Sequence, residues 1–249
     1  PGRGRIVVVH GSLDRSAGML KLSRQLDGEF QVTRYDRRGY GRSVPCAGPF
    51  GIDAQVADLR SVIARATGRS GHGPVEPVVL FGHSYGGNVV LTLADRYPEL
   101  VRAVAVYESP MPWEDWWPPD SGTAIVATQP GAGEAAEAFL RYLIGDARWE
   151  RLPESTRRAR RAEGPAMVGE LLDLRRGRPW RPERIGVPVL TMYGEQARPH
   201  HQRAMGLVAE WVPDGDVRVV PGAHHFGPNT HPAVVARYVT DFLAAHGIA

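Results

Sequence analysis

The sequence predicts an α/β fold: a mostly parallel, twisted sheet with helices on both faces, carrying one helical insertion. Three observations predict it. Short apolar runs bounded by Gly, Pro and Asp alternate with segments of helical periodicity. Several of those runs lack polar alternation, as strands covered on both faces do. One long stretch, 110–182, breaks the rhythm and contains no strand pattern.

At 249 residues the chain is long enough for one large domain with a sizeable insertion. Hydrophobic residues make up 43%, which argues against disorder. The strands expected in order are Ile6–Val9, Gln31–Tyr35, Val78–Phe81, Val101–Tyr107, Val187–Tyr193 and Asp216–Val220. Between them, Met19, Leu22 and Leu26 form one helical stripe and Val56, Leu59 and Ile63 a second, which Asp53 is expected to cap. Val89, Val90, Leu93, Ala94 and Tyr97 form a third, stopped by Pro98, and Val235, Tyr238, Val239 and Phe242 the last. The insertion holds five of the six tryptophans and two arginine clusters, and is read as helices lying over one edge of the sheet.

Composition excludes several classes of function. Thirty basic residues against 27 acidic ones leave a net charge of +3, too little for strong electrostatic binding, so no nucleic-acid partner is expected. Lys21 is the single lysine, an arginine bias that points to base composition rather than to a ligand. Cys46 is alone, so there is no intrachain disulfide and no cysteine-rich metal site. No run approaches the ~18 apolar residues of a membrane span and no signal peptide is visible, so a cytoplasmic location without membrane association is expected.

The chemistry concentrates in Gly82-His-Ser84-Tyr-Gly86, a G-x-S-x-G string between a strand and a helix. There the serine sits on a strained turn, its Oγ projects above the sheet edge, and the Tyr85 N–H faces a developing oxyanion. The second oxyanion donor is expected from the His10-Gly-Ser-Leu13 turn, as the Ser12 or the Leu13 amide, with His10 bracing the loop. A serine needs a base. His225, in Pro221-Gly-Ala-His-His-Phe226 after the last strand, is that base; His224 packs or faces solvent. His72, His200, His201, His231 and His246 read as surface or loop residues, and no metal-ligand spacing is present.

These strings, with Asp36-Arg-Arg-Gly-Tyr-Gly-Arg-Ser43, resemble the α/β-hydrolase superfamily in order and spacing on both sides of the insertion. The resemblance implies a core of residues 1–109 and 183–249, a helical lid over 110–182, no cofactor, and a local ion-pair brace in the 36–43 loop. The chain departs from the family pattern at the acid. Most members place an aspartate three positions beyond a glycine, but Gly194 is followed by Glu195, Gln196 and Ala197. Some branches take the acid from the preceding strand end, here Glu108, which is assigned the role with Glu195 as its rival. It needs only to orient the imidazole and stabilise its charged form.

The implied function is a serine hydrolase that cleaves an ester, lactone or thioester of a small molecule through an acyl-enzyme. The alternatives are a non-hydrolytic ligand-binding protein, an acyl transferase or a C–C bond hydrolase on the same fold. Trp113, Trp116 and Trp117 are candidates for lining the acyl site, and the insertion's arginines for binding an anionic group, with solvated helix faces as their other reading. Oligomeric state is not legible.

Overall fold

The computed structural model describes residues 4–68 and 76–248; His72 lies outside them. Six strands form one parallel sheet in the order β2-β1-β3-β4-β5-β6. They are β1 (Gly4–Val9), β2 (Phe30–Arg34), β3 (Val78–His83), β4 (Val101–Tyr107), β5 (Val189–Gly194) and β6 (Gly215–Val220), all at the expected places. Every residue of β3 is buried, as its unbroken apolar run requires.

Helices α1 (Leu20–Leu26), α2 (Ile52–Ala66) and α3 (Tyr85–Arg96) follow the first three strands. Between β4 and β5 the chain contains only helix and loop: α4 (Gly122–Ile125), α5 (Ala132–Ile144), α6 (Asp146–Glu150), α7 (Glu154–Ala162) and α8 (Gly164–Leu174). Helices α9 (Pro199–Trp211), α10 (Gly227–Thr230) and α11 (Pro232–Ala245) complete the chain. One face of the sheet is covered through Val56, Leu59, Val89, Leu93 and Val208 of α2, α3 and α9. The other is covered through Leu22, Leu26, Val235, Val239 and Phe242 of α1 and α11. A third cluster joins α5, α6 and α8 to Leu13 and Tyr40, which follow β1 and β2, so these helices sit over the carboxyl ends of those strands.

One local expectation fails. Gly51, not Asp53, is the N-cap of α2, and no side chain of its own caps it. The Ile52 N–H instead donates to Asp173 Oδ2 at 2.8 Å, from the far end of α8, while Asp53 pairs with Arg96. The orphan donor of the first turn needs a carboxylate, and a tertiary partner supplies it.

The 36–43 loop is braced as expected, but the brace is not local. Arg37 and Glu170 of α8 are both fully buried and pair with each other. Glu170 also accepts from Tyr40 Oη (2.6 Å), Ser12 Oγ (2.8 Å) and Gln55 Nε2 (3.1 Å). Burial opposes the Arg37 charge, and Glu170 more than offsets it, holding the guanidinium above its ordinary pKa. A second buried carboxylate, Glu163, accepts from Arg15 Nε (2.7 Å), Arg160 Nη1 (3.0 Å) and the Gly41 N–H (2.9 Å).

Candidate active site

Chain order dictates where a site forms. From β1 the chain passes to β2 on one side and to β3 on the other, so a crevice opens at the carboxyl ends of β1 and β3. Register aligns the neighbouring ends: His83 lies opposite Tyr107, Tyr107 opposite Met192, and Gly194 opposite Val220. The residues that follow these strands therefore share one rim.

Ser84 occupies that rim with φ 53° and ψ −125°, between β3 and the first turn of α3. The turn is tight: a Cβ on Gly82 would lie 2.6 Å from the Gly86 carbonyl oxygen, and one on Gly11 2.9 Å from Ser84 Cβ. Leu13 (φ 53°) and Glu108 (φ 47°) are the other non-glycine residues with left-handed φ among those described. The three strained residues thus sit in the three loops expected to supply the oxyanion donor, the nucleophile and the acid. Such strain persists only where surrounding structure enforces it.

His225 follows β6, in the loop before α10, and its Nδ1 lies 2.7 Å from Glu108 Oε2. An ionised carboxylate only accepts, so Nδ1 carries the proton and the Nε2 lone pair is free. The other Glu108 oxygen accepts the Gly194 N–H at 3.0 Å, and Glu108 is fully buried. Glu195, the rival, is engaged elsewhere: its Oε2 accepts the Gly222 N–H at 2.8 Å and holds the turn before the histidines. His224 is exposed, with Nδ1 3.1 Å from the Gln196 carbonyl. Two further side chains pin this loop. Tyr107 Oη donates to the His224 carbonyl and His83 Nε2 to the His225 carbonyl, both at 2.8 Å.

His83 carries a pH consequence. Burial first, and the nearby His225 second, push its pKa down to about 3 from 6.5. Between those values the unfolded chain binds a proton that the folded chain refuses. This contribution is complete above the unfolded value and is lost as pH falls toward the folded one, by about 2 kcal/mol between roughly pH 7 and pH 5. His83→Gln keeps an N–H for the His225 carbonyl and is expected to lose that much less over the same window, as read from urea unfolding at the two pH values. Equal losses in both proteins would mean that folded His83 takes up the proton.

Ser84 and His225 both border a cavity of about 440 Å³. Its apolar wall comes from Phe139, Leu140, Leu143 and Ile144 of α5, with Leu152, Met19 and Phe226. Asp14, Arg15, Arg148 and Arg160 are among its charged lining residues. Arg15 and Arg160 are spoken for by Glu163, whereas Arg148 pairs with no carboxylate among the described residues. Ser12 and Leu13 border the same cavity. Tyr85 is the first residue of α3, where backbone N–H groups lack intrahelical acceptors.

A second, smaller recess that also borders Ser84 and His225 is lined by Ser12, Tyr85, Trp117, His200 and His201. Trp117 thus borders the site, but Trp113 and Trp116 do not. Trp113 packs edge-on against Trp180 (6.2 Å between centroids) and Trp116 lies under Arg203 of α9 (4.4 Å), both packed against the core on that face of the sheet. His200 and His201 also differ from expectation. They open α9 and turn inward, the His201 ring lying 5.0 Å from that of His225. His231 and His246 remain at the periphery, bonded to Thr230 and to the Phe242 carbonyl. His10 is buried, receives the Arg37 N–H on Nε2 (3.0 Å) and holds the Gly11 carbonyl through Nδ1 (2.8 Å), a brace as expected.

No helix among the described residues is long and apolar enough to cross a membrane. Comparison with known proteins agrees with this architecture. The profile of the alpha/beta hydrolase family matches residues 6–238. A 2-(acetamidomethylene)succinate hydrolase of Mesorhizobium japonicum is 27% identical over 250 residues, spanning 95% of this chain and 86% of the relative. Lipase LipV of Mycobacterium tuberculosis is 35% identical over 107 residues, which span 43% of this chain and 38% of the lipase. A thermophilic esterase from Thermogutta terrifontis, solved with malate bound, superposes with a TM-score of 0.74 at 22% identity, covering 98% of this chain and 91% of that one.

Proposed function

Because the chain belongs to the alpha/beta hydrolase family, we propose that it is a serine hydrolase cleaving a carboxylic ester, lactone or thioester through an acyl-enzyme on Ser84. The observation that carries this reading is the 2.7 Å bond from His225 to a buried Glu108, on a histidine that shares its cavity with Ser84. With Nδ1 donating to Glu108, His225 Nε2 takes the Ser84 proton as Oγ attacks the carbonyl carbon. The tetrahedral oxyanion accepts from the Tyr85 N–H and from the Ser12 or Leu13 N–H. The intermediate collapses to the acyl-enzyme, and the leaving alkoxide or thiolate carries off the proton from His225. Water then gives a proton to His225 and attacks the acyl carbon; the second tetrahedral intermediate collapses, His225 returns that proton to Ser84 Oγ, and the acid leaves.

The apolar α5 wall suits a short acyl body, and Arg148 at the rim suits an anionic group on it. The M. japonicum relative is named for a succinate derivative, which favours the same class. Residues 110–182 act in this reading as the lid that walls off the cavity.

A panel of p-nitrophenyl esters, butyrate beside hemisuccinate, tests the reading together with Glu108→Gln. Glutamine leaves the imidazole in the wrong tautomer and uncompensated when charged, so kcat is expected to fall by about 10⁴-fold. A rate within tenfold of the parent would move the acid elsewhere. Silence across the whole panel would favour the non-hydrolytic binding protein.

A further inference from the structure

We infer that His201 and His225, with the Glu108 carboxylate beside them, form a chelating site for a soft divalent cation such as Zn²⁺, whose binding switches the site off. One ligand-capable atom from each of these three residues lies within 4.8 Å of the other two. Tetrahedral zinc with bonds of about 2.0–2.1 Å places its ligands about 3.3 Å apart, so the widest pair closes by no more than about 1.5 Å. Side-chain rotation supplies that without moving the backbone.

A glutamate beside a histidine does not by itself make a metal site; His201 is what adds one. It projects from the first turn of α9, its ring inclined 34° to that of His225, with Trp117 edge-on at 5.2 Å. Its Nδ1 is buried and has no hydrogen-bond partner. A buried polar atom left unpaired is costly, and a coordinated cation would satisfy it. The neighbouring cation, Arg198, stacks on the Tyr142 ring at 3.9 Å. Sequence spacing conceals the set, because the ligands come from the end of β4, the start of α9 and the loop after β6.

Coordination forms metal–nitrogen bonds from two imidazole lone pairs and a metal–oxygen bond from Glu108, with no change of oxidation state. A neutral imidazole has one lone pair and one N–H. Whichever His225 nitrogen takes the metal, the other carries the proton, so nothing remains to accept the Ser84 hydrogen. Inhibition therefore rests on the role proposed above for His225; metal binding does not.

The test has two arms. Calorimetric titration of Zn²⁺ into the full chain and into Ser84→Ala is expected to show one saturable site in each. In His201→Ala and His201→Gln that site is expected to weaken by roughly tenfold or more. In ester hydrolysis, each protein referred to its own metal-free rate, Zn²⁺ inhibits the parent, EDTA restores it, and both His201 variants need roughly tenfold more metal. Zinc bound equally by parent and His201 variants, or not bound by the parent, overturns the proposal. His201-dependent zinc binding by a protein inactive on every ester would uphold the site and discard the hydrolase.

Discussion

Ser84→Ala is expected to lower kcat by roughly 10⁶-fold on any ester the protein turns over, which leaves only what binding and oxyanion donors contribute. Alanine tolerates the same φ of 53° no worse than serine does, so the elbow and its 2.8 Å bond from the Ser84 N–H to the Tyr107 carbonyl should survive. The loss then reports chemistry, not unfolding. His225→Ala alone, and the double variant, should fall to nearly the same floor, because the two groups act as one unit. A fluorophosphonate probe should label the parent on Ser84 and leave the alanine variant unlabelled. Turnover in Ser84→Ala within tenfold of the parent would place the nucleophile on another residue.

Glu170→Ala is the second large effect, and it falls on stability. Removing this carboxylate leaves the fully buried Arg37 charge without its partner. Tyr40, Ser12 and Gln55 lose an acceptor at the same time. Breaking one side of such a pair costs about 3–5 kcal/mol, far more than the pair contributes when compared with apolar residues of similar volume. Urea unfolding should read that loss, and Arg37→Met combined with Glu170→Met should recover only the part due to the unpaired guanidinium, since buried Tyr40 and Gln55 still lack that acceptor. A loss below about 1 kcal/mol for Glu170→Ala would mean that the guanidinium finds water instead. Ser12 precedes Leu13 in the loop expected to supply an oxyanion N–H, so Glu170→Ala should also slow turnover in the molecules that remain folded.

Much of this was legible because it is local. Parallel strands covered on both faces announce themselves as apolar runs, and all six lie where those runs predict. Ser84 is marked by glycines that only a tight strand-to-helix turn requires. Glu108 was legible only through resemblance, since its partner lies 117 positions away. What stayed hidden depends on tertiary approach. Asp53 has the right chemistry to cap α2, yet Asp173 reaches the vacant N–H first. Of the three tryptophans after Glu108 that looked like pocket walls, Trp117 borders the smaller recess, while the apolar wall of the larger cavity comes from α5. His201 looked superficial because nothing in its neighbourhood along the chain indicates that α9 begins beside His225.

The carboxylates of Glu163, Glu170 and Asp173 fasten the helices between β4 and β5 to the body of the protein at Arg15, Arg37 and Ile52. Anyone exchanging this segment for a homologous one, to transplant a new substrate preference, would strand those partners inside the recipient. A viable chimera has to carry both halves of each clasp, so crossover points drawn only at the ends of β4 and β5 should yield insoluble protein.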